Sequence, residues 1–149
     1  MNDDFEWPVA NPFIEARDVV AGDIDAFKHV NNLRYIEWAM DVAWRHSHAL
    51  GLSFTDYQRL GVGCVIQRHS FEYLAPALID ERIAIATWIG ANDGRVRLTR
   101  NYDIRHSKTG APLFRGETHF VCISLETGKP TRMPQDFVEA YRPAEKIRE

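Results

Sequence analysis

Cysteine is nearly missing from this chain: Cys64 and Cys122 are the only two among 149 residues, each sits inside an apolar run, and no CxxC occurs. A dense disulfide framework and the usual zinc-ribbon spacing are thereby excluded, and both thiols are expected to be small core residues. No apolar run is long enough to cross a bilayer, and the start, MNDDFEWPVA, is acidic where a secretory leader would be basic and then apolar. No membrane association is expected, and the cytoplasm is the expected compartment. Charge of one sign is also lacking: 18 Lys and Arg against 21 Asp and Glu leave a net charge of −3 with the cations scattered. That argues against a nucleic-acid or anionic-membrane partner. Repeats, low-complexity tracts and Ser/Gly linkers are absent too, so one domain over residues 1–149 is expected.

The patterns that are present begin with Phe13 to Val20, a strand candidate that ends before Ala21-Gly22. From Asn32 to about Leu50, apolar residues recur at Leu33, Ile36, Met40, Ala43 and Leu50, with Tyr35, Trp38, Ala39 and Val42 widening the stripe. This three-and-four spacing predicts one long amphipathic helix, capped by Asn31 or Asn32 and closed at Gly51. A short helix is expected near Phe54 to Leu60, and another near Asp136 to Tyr141 in a closing segment. Between them lie four β-rich runs, Val62 to Leu74, Glu81 to Ile89, Arg95 to Arg105 and Leu113 to Leu125, separated by turn residues. The short breaks predict an antiparallel meander. In the third run Val96, Leu98, Tyr102 and Ile104 share an apolar face that only Arg100 interrupts. The predicted fold is α+β, a curved five-stranded antiparallel sheet wrapped around one long helix. One helix covers so large a sheet poorly, and four tryptophans add apolar surface, so self-association is expected.

Chemistry concentrates in DIDAFKHVNN, residues 23–32, just ahead of the long helix. As a metal site, Asp23, Asp25 and His29 would need another ligand, and no HExxH or calcium-loop pattern supplies one. As ordinary structure, Asp and Asn before a helix act as caps, each stabilising it by about 1 kcal/mol. As a catalytic site, the unpaired N–H groups of the helix start favour negative charge on a bound carbonyl oxygen. A neighbouring carboxylate then attacks that carbonyl or takes a proton from water. A thioester suits this arrangement because its thiolate leaves readily, and the serine-hydrolase GxSxG is absent.

The D-x-x-x-H-V-N-N-x-x-Y core at Asp25, His29, Val30, Asn31, Asn32 and Tyr35 resembles the 4-hydroxybenzoyl-CoA thioesterase group of hotdog-fold acyl-CoA thioesterases. The order of strand, long helix and four strands is similar over roughly Phe13 to Leu125. The resemblance implies a single hotdog domain, dimers that join sheets edge to edge, and frequent tetramers. It implies Asp25 as the catalytic carboxylate and the main-chain N–H of Asn32 as the donor to the thioester carbonyl. The expected reaction is hydrolysis of an acyl-CoA to free acid and coenzyme A. The alternatives are a thioesterase acting on acyl carrier protein and a non-catalytic acyl-CoA-binding module.

Within that reading Asp23 is expected to be structural. His29 orients Asp25, contacts the acyl group or fixes the loop by a hydrogen bond, the last being favoured. Asn31 and Tyr35 are candidates for the substrate side, though Asn31 reads first as a cap. Coenzyme A, which enters only as part of the substrate, carries phosphates that call for cations; Arg95, Arg97, Arg105, Lys108, Arg115 and Arg132 lie on strands or loops that could present them, and Arg97, Arg105 and Lys108 are the chosen candidates. No metal or separate cofactor is expected.

Overall fold

The computed structural model describes residues 5–147. Its elements in chain order are β1 (Phe13–Asp18), a 3-10 turn (Ala21–Asp23), α1 (Asn32–Ala49), α2 (Phe54–Leu60), β2 (Val62–Tyr73), β3 (Arg82–Asn92), β4 (Arg97–His106), β5 (Pro112–Ser124) and α3 (Gln135–Ala140). The five strands form one antiparallel sheet in the order β1-β3-β4-β5-β2.

That order corrects the expected four-strand meander. Only β3, β4 and β5 follow one another, whereas β2 pairs with β5 and the chain then crosses to β3 on the far side. The crossing segment is held at the start of α1, where Val30 N–H donates to Ala77 O and Ala77 N–H donates to the Tyr35 hydroxyl at 2.9 Å. A run of turn residues at 75–76 permits such a crossing as readily as a hairpin, so local pattern does not decide between them.

The helix lies against one face of the sheet. Tyr35, Trp38, Ala39, Val42 and Ala43 are buried on it and meet Ile83, Ile85, Tyr102, Ile104 and Phe114. The spacing is helical as predicted, but, Ala43 apart, the buried residues are those expected only to widen the stripe. Leu33 is 64% exposed and Leu50 36%, while Ile36 and Met40 flank the core. Gly51 takes the left-handed conformation (φ 88) after the last turn, which a glycine adopts without steric cost.

A second cluster seals the far end of the helix. Phe137 and Tyr141, from α3 and its end, pack with Leu52, Tyr57, Ile89, Leu98 and Cys122, so the closing segment belongs to the core. On the opposite face Trp7 covers Ala84 and Ala86. Cys64 and Cys122 are free thiols facing each other across β2 and β5.

Candidate active site

Residues 25–29 form a tight turn held almost wholly by main chain. Asp25 N–H donates to His29 O at 2.9 Å and Lys28 N–H donates to Asp25 O at 3.0 Å. The Asp25 carboxylate accepts from Phe27 N–H at 2.9 Å and, more weakly, from His29 N–H at 3.4 Å. Lys28 is left-handed (φ 66), the conformation that folds His29 back toward Asp25. Main-chain donors thus fix one oxygen of the carboxylate, and among the described residues no hydrogen bond is found to the other, Oδ2.

Directly after this turn α1 begins. The Asn31 side chain accepts from Leu33 N–H at 2.9 Å and Asn31 O accepts from Arg34 N–H at 2.9 Å. Asn31 N–H is itself taken by Asp23 O at 2.8 Å. The Asn32 N–H, at the first helical position, has no acceptor among the described residues. Asp25 and Asn32 line the same cleft of about 490 Å³, with Phe27, His29, Tyr35 and Tyr73 among its walls. A carbonyl seated there would have a donor with a helix dipole behind it and a carboxylate close by. Among the described residues, no group of three or more His, Cys, Asp or Glu is placed to hold a metal ion.

Residues 19–141 match the family model described as the thioesterase-like superfamily, which is well over half of the chain. The chain belongs to that superfamily. By sequence, no match was found among curated proteins. By structure, it is similar to a 1,4-dihydroxy-2-naphthoyl-CoA thioesterase from Synechocystis, with a TM-score of 0.79, 23% identity, and coverage of 88% of this chain and 96% of that one. A Staphylococcus aureus protein solved in complex with CoA gives a TM-score of 0.80 at 18% identity, covering 91% of this chain and 85% of the other. A probable thioesterase from Escherichia coli gives 0.74 at 22% identity, covering 86% and 95%. The fold is the hotdog fold, an antiparallel sheet wrapped around one helix, and the family's general chemistry is thioester hydrolysis.

The remaining candidates are distributed unevenly over this thioesterase-like fold. Asp23 is buried, its carboxylate accepting from Val20 N–H at 3.0 Å and pairing with Arg34 at 3.3 Å, so it holds the chain ahead of the turn. The His29 imidazole makes no hydrogen bond among the described residues and His29 lines the cleft, while its main chain ties the loop to Asp25. Asn31 is a cap and does not line the cleft. Tyr35 does line it, but its hydroxyl accepts from Ala77 N–H and its ring stacks on Phe114 at 5.5 Å.

None of the three cations proposed for coenzyme A lines the cleft of its own chain. Arg105 pairs with buried Asp103 at 2.9 Å, donates to Glu6 O and lies over the Trp7 ring, all on the face away from α1. Arg97 donates to Gln67 at 3.0 Å, and Lys108 sits on the exposed β4–β5 turn. Sequence reasoning missed Phe27, Tyr73 and Pro76 as cleft walls. Phe27, 81% exposed beside Asp25, was the one with a visible signal, an aromatic where a polar loop has no need of one.

Arg100 resolves differently from the rest. It is 3% exposed beneath the last turns of α1, where its guanidinium donates to His46 Nδ1 (2.8 Å), Thr87 Oγ1 (3.1 Å) and Ser47 Oγ (3.1 Å). Burial and the adjacent guanidinium lower the His46 pKa to about 4, which leaves the ring neutral and able to accept. Tyr141 donates to Ser47 at 2.8 Å and exchanges a 2.6 Å hydrogen bond with Tyr57, so four hydroxyls and a histidine gather around one cation.

Proposed function

We propose that the protein hydrolyses acyl-CoA thioesters, with Asp25 as nucleophile or general base and the Asn32 N–H polarising the thioester carbonyl. The observation that carries this reading is the pairing, in one open cleft, of a carboxylate held on main-chain donors with an unsatisfied N–H at a helix start. The helix N–H offsets charge that develops on the oxygen, and the carboxylate attacks the carbonyl or deprotonates the attacking water. The leaving thiolate needs little protonation, which suits a cleft that His29, Tyr35 and Tyr73 line beside Asp25. Coenzyme A is favoured over a carrier protein as the thiol because the structurally similar Staphylococcus aureus protein was solved with CoA.

The active unit in this reading is a homodimer joined through β2. That strand is twelve residues long, its outer edge is unpaired among the described residues, and Val65, Ile66, Tyr73 and Leu74 along and just beyond it are each more than 40% exposed. A long apolar edge left bare is a template for a second strand. Measuring thiol release over aromatic and straight-chain acyl-CoAs, with Asp25→Asn alongside, tests the reading. Full activity in the folded variant would overturn the role of Asp25, and tight binding without thiol release would leave an acyl-CoA-binding module.

A further inference from the structure

Arg100 is a charge without a counter-ion. Its three partners are neutral, it makes no ion pair among the described residues, and at 3% exposure water does little to solvate it. An unpaired buried ion costs several kcal/mol, whereas an anion brought to it by a ligand would recover part of that cost. The groups around it supply no such anion. Burial pushes the Cys64 thiol up to about 12 and raises Tyr57 and Tyr141 further from ionisation, so all three stay protonated.

Beside the guanidinium lies a cavity of about 150 Å³ walled by Met40, Trp44, Ile66, Leu98 and Phe120, with Tyr57 and Tyr141 at the polar end. Cavities of that volume hold a ligand of about six non-hydrogen atoms. Apolar walls leading to one cation describe a slot for a short hydrocarbon that ends in negative charge, and a guanidinium matches a carboxylate with two parallel hydrogen bonds. Trp44 and Ile66, each nearly half exposed, stand at the mouth.

We propose that this cavity receives the far end of the acyl group and that Arg100 selects acyl groups terminating in a carboxylate. The inference rests on the acyl-CoA reading above. It also explains how two separated sites serve one substrate. Ile66 at the cavity and Tyr73 at the Asp25 cleft are seven residues apart on β2, roughly 23 Å along the strand. Antiparallel pairing of β2 with a second copy exchanges the strand ends, and a register that brings Ile66 of one chain opposite the region of Tyr73 on the other sets the cleft of one chain beside the cavity of the other.

The test compares chains of equal length with and without a terminal carboxylate: adipoyl-CoA against hexanoyl-CoA and suberoyl-CoA against octanoyl-CoA. In the wild type, kcat/KM for the carboxylate-ended member of at least one pair is expected to exceed its partner's tenfold or more, and Arg100→Met is expected to abolish that preference. General damage to the fold acts on both members and cancels in the ratio. A wild-type preference below tenfold in both pairs, or one that survives Arg100→Met, overturns the proposal. If no acyl-CoA is hydrolysed the thioesterase reading fails separately, and calorimetry of free adipate against hexanoate on the wild type decides the cavity. Tighter adipate binding sustains the proposal, and equal or weaker binding ends it; the same measurement decides the matter if Arg100→Met does not fold.

Discussion

At its first turn α1 meets Asp25, a carboxylate at a wet surface whose ordered oxygen rests on main-chain N–H groups. Near its last turn the same helix covers Arg100, buried and held by side chains alone, none of them charged. The first arrangement costs little to build, because solvent and backbone dipoles support the charge and the other oxygen is left for chemistry. The second is costly and depends on packing from α2, α3 and the sheet to keep each acceptor in place. The contrast separates a group positioned to react from one positioned to recognise.

The sharpest way to break this comparison is Asp25→Asn. Amide and acid are nearly isosteric, so the melting temperature is expected to stay within a few degrees while thiol release falls by about 10² to 10⁴, the contribution typical of a positioned base. Next in size, Phe137→Ala is expected to destabilise the chain by roughly 3–5 kcal/mol in a urea titration, because Phe137 is wholly buried between Tyr57 and Tyr141 at the Arg100 end. A loss below 1 kcal/mol would mean that the closing segment does not support that end.

A smaller effect separates the two regions by pH. Well above pH 6.5 His46 is neutral folded and unfolded alike. As the pH falls from there toward 4, the unfolded chain takes up the proton first, so stability drops across this window. Relative to His46→Gln, the wild type is expected to lose an additional 1–2 kcal/mol, roughly, between pH 6.5 and 4.5, after discounting for the partial exposure of the ring. Parallel pH profiles of urea midpoint for the two proteins would show that His46 does not titrate as described. Smallest of all, Asn31→Ala removes the acceptor for Leu33 N–H and is expected to cost about 1 kcal/mol of stability.

Much of this was legible before any coordinates. The bounds of α1 follow from Asn31 and Gly51, because a cap and a left-handed terminus are chosen by local chemistry. The strands appear within a few residues of the predicted runs because alternation and turn residues are also local signals. The order of the strands was not legible: whether β2 turns back onto β3 or crosses to pair with β5 depends on Ala77 reaching Tyr35, and those residues lie 42 positions apart. For the same reason the buried side of α1 was misjudged at Leu33, whose exposure depends on where the sheet sits.

At the candidate site the division is similar. Asp25, His29 and Asn32 fall within eight residues of one another, so a single turn and a helix start bring them to one cleft, and their association was readable from spacing. Arg97, Arg105 and Lys108 were chosen for charge on strands or loops that could present it, and neither property says which face of a sheet a side chain serves or whether a residue such as Asp103 has already taken it.

By itself, the sequence determined the long helix, its cap, the strand-rich second half and the acid beside the helix start, because each is a short-range consequence of propensity and hydrogen bonding. Tertiary structure alone decided what Arg100 became. As one charge on an otherwise apolar face it was equally compatible with a buried ion pair and with a contact between subunits. Only the convergence of His46, Ser47, Thr87, Tyr57 and Tyr141 from four separate elements made it a solvent-poor cation at the edge of a cavity.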